Sequence, residues 1–250
     1  MAKYFSICKA VLNEHSGLFC LLMLLTLSVL FIPGIRFVDA QSQSADSEVT
    51  TEELKQIFIE GKIPVIDVRP EKEYEVSHVP GSDNIFETEI DRMTEVCAKS
   101  GGIVLYCNGP YCGKTNRVSA NLSKNGCVNI KRYQEGMPLW RAFGNTAETT
   151  LDGFKYVFSS DKTAFFIDAR SKDEFNSGSM PGANNLQADE IDAANDDGRL
   201  PYSDHGTRVI VFGKTIEQAR QLAEALARRA YWNGSYLAVT YEELKQAGLW

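Results

Sequence analysis

Short apolar runs alternate with helical stripes along most of the chain. Ile103, Val104, Leu105 and Tyr106 are apolar and half β-branched, as a short buried strand is, and Gly101-Gly102 mark a turn before them. After a Gly/Pro-containing loop, Thr115, Val118, Ser119 and Leu122 recur at helical spacing until Asn125-Gly126 supplies a stop. Upstream, Thr50-Thr51-Glu52-Glu53 has the form of a helix N-cap with acidic residues in the first turn. Leu54, Ile57 and Phe58 form the apolar stripe, and Gly61 ends it. Val65–Val68 follows as another strand. Helix, strand, crossover, strand, helix is α/β order and predicts a parallel sheet.

The pattern then repeats. Ala164–Leu186 lies over Pro64–Ile85 and its neighbours, so that Asp67, Arg69, Glu73, Pro80, Gly81 and Asn84 match Asp168, Arg170, Glu174, Pro181, Gly182 and Asn185 at one constant offset. A repeat of this length means two domains of one fold, not a solenoid. The predicted organisation is a first domain over 50–145 and a second over 150–250, each a parallel sheet flanked by helices, with the boundary near Asn145–Thr150. In the second copy the run Arg208–Phe212 corresponds to Ile103–Tyr106, and Gly213 stands where the first copy has Cys107. Ile216, Ala219, Leu222, Ala223 and Leu226 give the helix that follows an apolar face.

The first forty residues follow a different pattern. Lys3 and Lys9 precede Leu18–Ile32, an apolar run broken only by Thr26 and Ser28, and Val38-Asp39-Ala40 is a small-x-small sequence before a polar stretch. This predicts an export signal over 1–40, since the run is short of the about 20 apolar residues a membrane span requires. The alternative is an uncleaved anchor, the one circumstance in which the chain would keep a membrane partner. Either places the folded part outside a cytoplasm, in a periplasm or secreted. The serine-rich stretch 41–49 is expected to be a linker. The 250-residue chain has a net charge of −7 and shows no basic stripe, which argues against a nucleic-acid partner.

The candidate chemistry lies in Ile103–Lys114. Cys107 sits where the strand ends, and Asn108, Gly109, Pro110, Tyr111 and Cys112 separate it from Gly113 and Lys114, which open the helical pattern. In an open α/β sheet this edge is where ligands bind. Loop N–H groups and the positive end of a helix favour a thiolate over a thiol, so Cys107 is the candidate nucleophile. Lone cysteines at strand ends are more often apolar packing; the loop and helix start set this one apart. Cys112 is the candidate resolving thiol, able to attack a persulfide on Cys107, release sulfide and leave a disulfide. Cys97 and Cys127 are expected to be structural single cysteines. Lys114 and Arg117, in the first turns of the helix, are candidates for attracting an anionic donor. A metal site is not expected: Cys107 and Cys112 have no second ligand pair at zinc-like spacing, and past residue 40 the histidines are His78 and His205. Asp67 and Arg69 are repeated in the copy without the cysteine, which marks them as structural, with Glu73 and Glu174 as their expected partners. His78 has no counterpart, because Ser179 holds its place.

Three ordered stretches also resemble the rhodanese (sulfurtransferase) family: IDVRPEKEYEVSHVPG (Ile66–Gly81), the loop Cys107–Cys112, and YQEGMPLW (Tyr133–Trp140), where Glu135 replaces the family's first glycine. The resemblance implies tandem rhodanese-like domains, the second inert, and a persulfide on Cys107 cradled by Asn108, Gly109, Pro110, Tyr111, Cys112 and Gly113. It implies no cofactor, a small sulfur donor, and a thiol, cyanide or acceptor protein as recipient. The uncharged loop argues against thiosulfate as the natural donor. Two rival expectations remain open: a non-catalytic binding or sulfur-carrier module, and a cysteine-dependent phosphatase or arsenate reductase. The second rival lacks its closing arginine, because Gly113 holds that position.

Overall fold

The computed structural model describes residues 46–250. The predicted export signal, 1–40, and the first part of the predicted linker lie outside them. Among the described residues no helix is long and apolar enough to cross a membrane.

Two five-stranded sheets share one topology. The first has the order β1 (Asp46–Glu48), β5 (Ile130–Tyr133), β4 (Ile103–Tyr106), β2 (Val65–Asp67), β3 (Asp83–Asn84). The second runs β6 (Ala147–Thr149), β10 (Gly234–Leu237), β9 (Val209–Phe212), β7 (Phe165–Asp168), β8 (Ala183–Asn185). Pairing within each is parallel. The central strands are buried on both faces, as parallel sheets require. In β4, Ile103 and Leu105 pack with Met93, Val118 and Leu122, while Val104 and Tyr106 face Leu54, Met137 and Trp140. In β9, Val209 and Val211 face Leu222 and Leu226, whereas Ile210 and Phe212 face Phe154 and Leu244.

Local signals account for several helix ends. Helix α1 (Thr51–Glu60) starts with a reciprocal capping box between Thr50 and Glu53 and stops at Gly61, whose φ of 61° suits glycine. Two expectations change. Residues 46–48, predicted as linker, form the edge strand β1, and 147–149, predicted between the domains, form the edge strand β6. Each is three residues long and follows no apolar alternation; hydrogen bonding to β5 or β10 makes it a strand. Cys97 and Cys127 are not single cysteines. They form a disulfide, with Cα atoms 6.0 Å apart, joining α3 (Ile90–Ser100) to the segment just after α4 (Lys114–Lys124). Closing a loop with a sequence separation of 30 stabilises by about 3–4 kcal/mol in the chain-entropy picture.

The repeated Asp-x-Arg is a brace at the end of β2 and of β7. Asp67 is fully buried and accepts from the Arg69 backbone N–H at 3.0 Å and from its Nε and Nη2 at 2.9 and 2.5 Å. Arg69 Nη2 also donates to the Ser77 carbonyl at 2.7 Å. Asp168 and Arg170 repeat the arrangement, with Nη2 donating to the Gly178 carbonyl at 2.8 Å. Asn84 and Asn185 close the two copies alike. Each donates to the carbonyl of the aspartate, at 2.9 Å, and to that of the arginine, at 3.0 and 2.7 Å. Burial alone would lower the Arg69 and Arg170 pKa values, but the paired carboxylates hold both above the ordinary arginine value. Glu73 joins the first brace, 3.9 Å from Arg69 Nη1. Glu174 does not join the second, contrary to expectation: it caps Ser171 and pairs with Lys214 at 2.9 Å, while the Arg170 guanidinium stacks 3.3 Å from the Tyr241 ring centroid.

The two sheets meet along a seam beside the first brace. His78 and Glu148 exchange backbone hydrogen bonds of 3.0 and 2.9 Å, and Glu148 also receives the Tyr236 hydroxyl at 2.5 Å. Arg141 reaches Ser77 in its own domain and the Trp232 carbonyl and Asn233 in the other. A Cβ on Gly153, in α6 (Leu151–Ser160), would lie 2.0 Å from the Glu75 carbonyl oxygen of α2 (Glu71–Val76), so only glycine allows this approach.

Replacing Arg170 by Ala leaves the fully buried Asp168 carboxylate without its counter-charge, which costs about 3–5 kcal/mol. The expected result is a clearly lower urea midpoint, with loss of near-ultraviolet signal from the second domain. A midpoint equal to that of the parent chain would show that the pair is not a structural brace.

Candidate active site

Cys107 follows β4 directly and is 2% exposed. Its carbonyl accepts from the Met137 N–H at 3.3 Å, which ties it to the start of α5 (Gly136–Ala142). Gly136 lies beneath the loop with a φ of 61°, and a Cβ there would come within 2.4 Å of both the Cys107 carbonyl oxygen and the Gly109 nitrogen. The glycine of the YQEGMPLW stretch, Gly136, is therefore required by the close approach of two backbones. Gly109, with a φ of 115°, turns the loop, and the Cys112 N–H closes it onto the Gly109 carbonyl at 2.9 Å. Cys107 and Cys112 are joined by a disulfide with Cα atoms 6.3 Å apart, within the span a bridge allows.

Two side chains fasten the loop to the scaffold. Asn108 accepts from Arg69 Nη1 at 3.3 Å and donates to Glu73 at 2.7 Å, which couples its first turn to the brace. Gln134 donates to the Pro110 carbonyl at 3.1 Å and accepts from the Thr115 hydroxyl at 2.8 Å. Gln134 was not among the sequence candidates, although it sits inside the third family-like stretch. Glu135, in the position of the family's first glycine, instead accepts from the Thr51 hydroxyl and N–H at 2.6 and 3.0 Å. Helix α4 begins at Lys114 with Gly113 as N-cap and no side-chain cap. Its first-turn N–H groups therefore face the loop without a capping oxygen.

A family model for the rhodanese-like domain matches residues 50–143 and again 155–247. The chain is a tandem rhodanese-like protein. Among individual proteins, it is 33% identical over 102 residues to the HTH-type transcriptional regulator Rv0324 of Mycobacterium tuberculosis, covering 40% of this chain and 44% of the regulator. It is 29% identical over 79 residues to YqhL of Bacillus subtilis, covering 32% of this chain and 61% of YqhL. The matched stretches thus span less than two thirds of either relative. The crystal structure of a thiosulfate sulfurtransferase from Pseudomonas aeruginosa aligns with 81% of this chain and 45% of its own, at 16% identity and a TM-score of 0.36.

The two rhodanese-like domains differ at the loop. Asp67 is paired with Tyr106 and Asp168 with Phe212 in the sheet register, so Gly213 occupies the position of Cys107. Its carbonyl accepts from the Tyr241 N–H at 2.8 Å, as that of Cys107 does from Met137. Lys214 binds Glu174 as Asn108 binds Glu73. Beyond that the likeness ends. Thr215 already caps α7 (Ile216–Ala227), taking the Gln218 N–H at 3.1 Å, and the Gln218 side chain accepts from the Lys214 N–H at 2.8 Å. Side chains occupy the cradle that the first copy leaves to its loop.

Other candidates are placed differently from expectation. Lys114 and Arg117 both pair with Glu87, at 3.2 and 2.7 Å, and so share their charge with a carboxylate. Burial alone would raise the Glu87 carboxyl, but hydrogen bonds from Arg117 and Lys114 hold it below the usual value. Glu87 carries no sequence signal for this role. His78 is buried, stacked 3.8 Å from the Tyr74 ring, and belongs to the domain seam. An open cleft of about 700 Å³ at that seam is lined by Tyr74, Glu75, Phe86, Arg92 and Asp152, and not by the cysteine loop.

Introducing a cysteine at Gly213 should not recreate the site. Its Cβ would already crowd the Gln218 side chain at 3.0 Å and the Ala219 nitrogen at 3.1 Å. In a Cys107→Ser background, Gly213→Cys is expected to titrate near the ordinary thiol value of about 8.5, by alkylation rate against pH. A strongly depressed pKa together with persulfide formation would mean that the second cradle survives.

Proposed function

We propose that this chain is an exported sulfurtransferase that carries sulfane sulfur on Cys107. With the bridge reduced, the Cys107 thiolate attacks the outer sulfur of a donor. The donor's sulfur–sulfur bond breaks, and the remainder leaves with the electron pair, as sulfite or a shortened polysulfide. An acceptor thiolate or cyanide then attacks the outer sulfur of the Cys107 persulfide, and Cys107 departs as thiolate, giving a ping-pong cycle. Loop and first-turn N–H groups stabilise the anionic sulfur. When no acceptor arrives, the Cys112 thiolate attacks Cys107 Sγ, expels hydrosulfide and forms the bridge.

The observation that carries this reading is the contrast between the copies. The brace, the strand end and the helix are shared, but only the copy with an uncapped helix start has a cysteine there. Lys114 and Arg117 are held by Glu87, which favours polysulfide or a persulfide over a thiosulfate dianion. Two disulfides in the described residues and the signal-like N-terminal sequence support a periplasmic or secreted location. The small exposure of Cys107 favours a second reading, a sulfur carrier that hands its sulfur only to a docked acceptor protein.

After reduction and removal of reductant, polysulfide is expected to add one sulfur atom to Cys107 by intact mass and peptide mapping, and Cys107→Ser to add none there. Cyanide then separates the readings: steady thiocyanate release marks an enzyme, and a single stoichiometric release marks a carrier. Undiminished sulfur transfer in Cys107→Ser would refute both.

A further inference from the structure

We infer that the thiol which reduces this bridge attacks Cys112, and that the sulfur it releases is Cys107. The inference rests on the proposed function only in treating the bridged form as a state that must be undone; it requires the disulfide, not sulfur transfer.

Thiol–disulfide exchange is an in-line displacement, so the attacking thiolate must approach a sulfur from the side opposite its partner. Cys107 offers almost no surface for that approach. It is 2% exposed and packs in the apolar cluster of Ile66, Leu105 and Val118. Cys112 is half-buried at the margin of the same cluster and lies between the exposed Tyr111 and Gly113.

The step balances as follows. A reductant thiolate forms a bond to Cys112 Sγ, the Cys107–Cys112 bond breaks, and Cys107 takes the electron pair as thiolate. A second reductant thiolate then attacks the first reductant's sulfur, releasing Cys112 as thiolate and the reductant as its disulfide. Two electrons pass from two thiols to the bridge. The mixed disulfide sits on Cys112 throughout, so Cys107 is never blocked by its own activator. The reductant class is therefore a thiol able to meet an uncharged rim of Asn108, Gly109, Pro110 and Tyr111, whether a small thiol or the exposed cysteine of a dithiol protein.

The test uses the full oxidised chain and no sulfur donor, so its outcome is independent of sulfur transfer. Stoichiometric glutathione in one arm is matched in the other by a thioredoxin whose second active-site cysteine is replaced by serine. Each reaction is quenched with acid within the first turnover, alkylated and mapped by tandem mass spectrometry. The expected product carries the reductant on Cys112 and the alkyl group on Cys107, in at least about tenfold excess over the reverse. Capture in either arm supports the inference and identifies the source of the thiol. Equal or reversed labelling, capture in neither arm, or a chain whose Cys107 and Cys112 alkylate without reductant would overturn it.

Discussion

A carboxylate with no exposure to water has to be matched by charge and hydrogen bonds where it stands. Asp67 meets that demand through Arg69, and much of the first domain's functional end follows from it. The guanidinium that neutralises Asp67 also reaches the Ser77 carbonyl and Asn108. One contact fixes the turn from which His78 crosses to the second domain, and the other fixes the first residue after Cys107. The loop is thus anchored at Asn108 by a buried ion pair and at Pro110 by Gln134, leaving the Tyr111–Gly113 segment on the outside.

The second domain serves as an internal control. Asp168, Arg170 and Asn185 repeat the brace within a few tenths of an ångström, with no cysteine to position. The brace therefore belongs to the fold, and the chemistry belongs to what is built over it. In one copy a six-residue turn follows the strand and the helix begins without a side-chain cap. In the other, Thr215 and Gln218 fill that place with oxygens of their own. A capped helix start is the more stable arrangement by about 1 kcal/mol. Omitting the cap in the first copy leaves donors available to an anion, a local sacrifice of stability characteristic of functional sites.

Much of this was legible in the sequence because it is local or repeated. The Thr50–Glu53 cap, the doubly buried strands, the two Asp-x-Arg turns and the replacement of Cys107 by Gly213 are all signalled within a few residues. What escaped depends on residues distant in the chain. The strands 46–48 and 147–149 have no pattern of their own. Cys97 and Cys127 meet only when two helices pack on the same face of the sheet. Glu87 becomes the partner of Lys114 and Arg117 through the placement of the segment after β3. Arg170 was expected to find Glu174 by analogy with Glu73, but an aromatic ring at 3.3 Å and the competing Lys214 redirected both groups. Substitutions in the second copy could change these contacts without disturbing the brace beneath.

The two disulfides occupy the same face of the first sheet, yet their surroundings give them different chemistry. Cys97 and Cys127 are 3% and 6% exposed, each set against the apolar packing of a helix. Both sulfurs are therefore little exposed to an external thiol. In the loop, burial is uneven: Cys107 is enclosed and Cys112 is not. Both bridges are closed in the structure, but exposure differs between them and sets which a reductant can reach in the native state. The enclosure of Cys107 shields it from direct attack. Cys112 is the more accessible sulfur of the same loop, so on the inference above it meets the reductant and the buried Cys107 is the sulfur released.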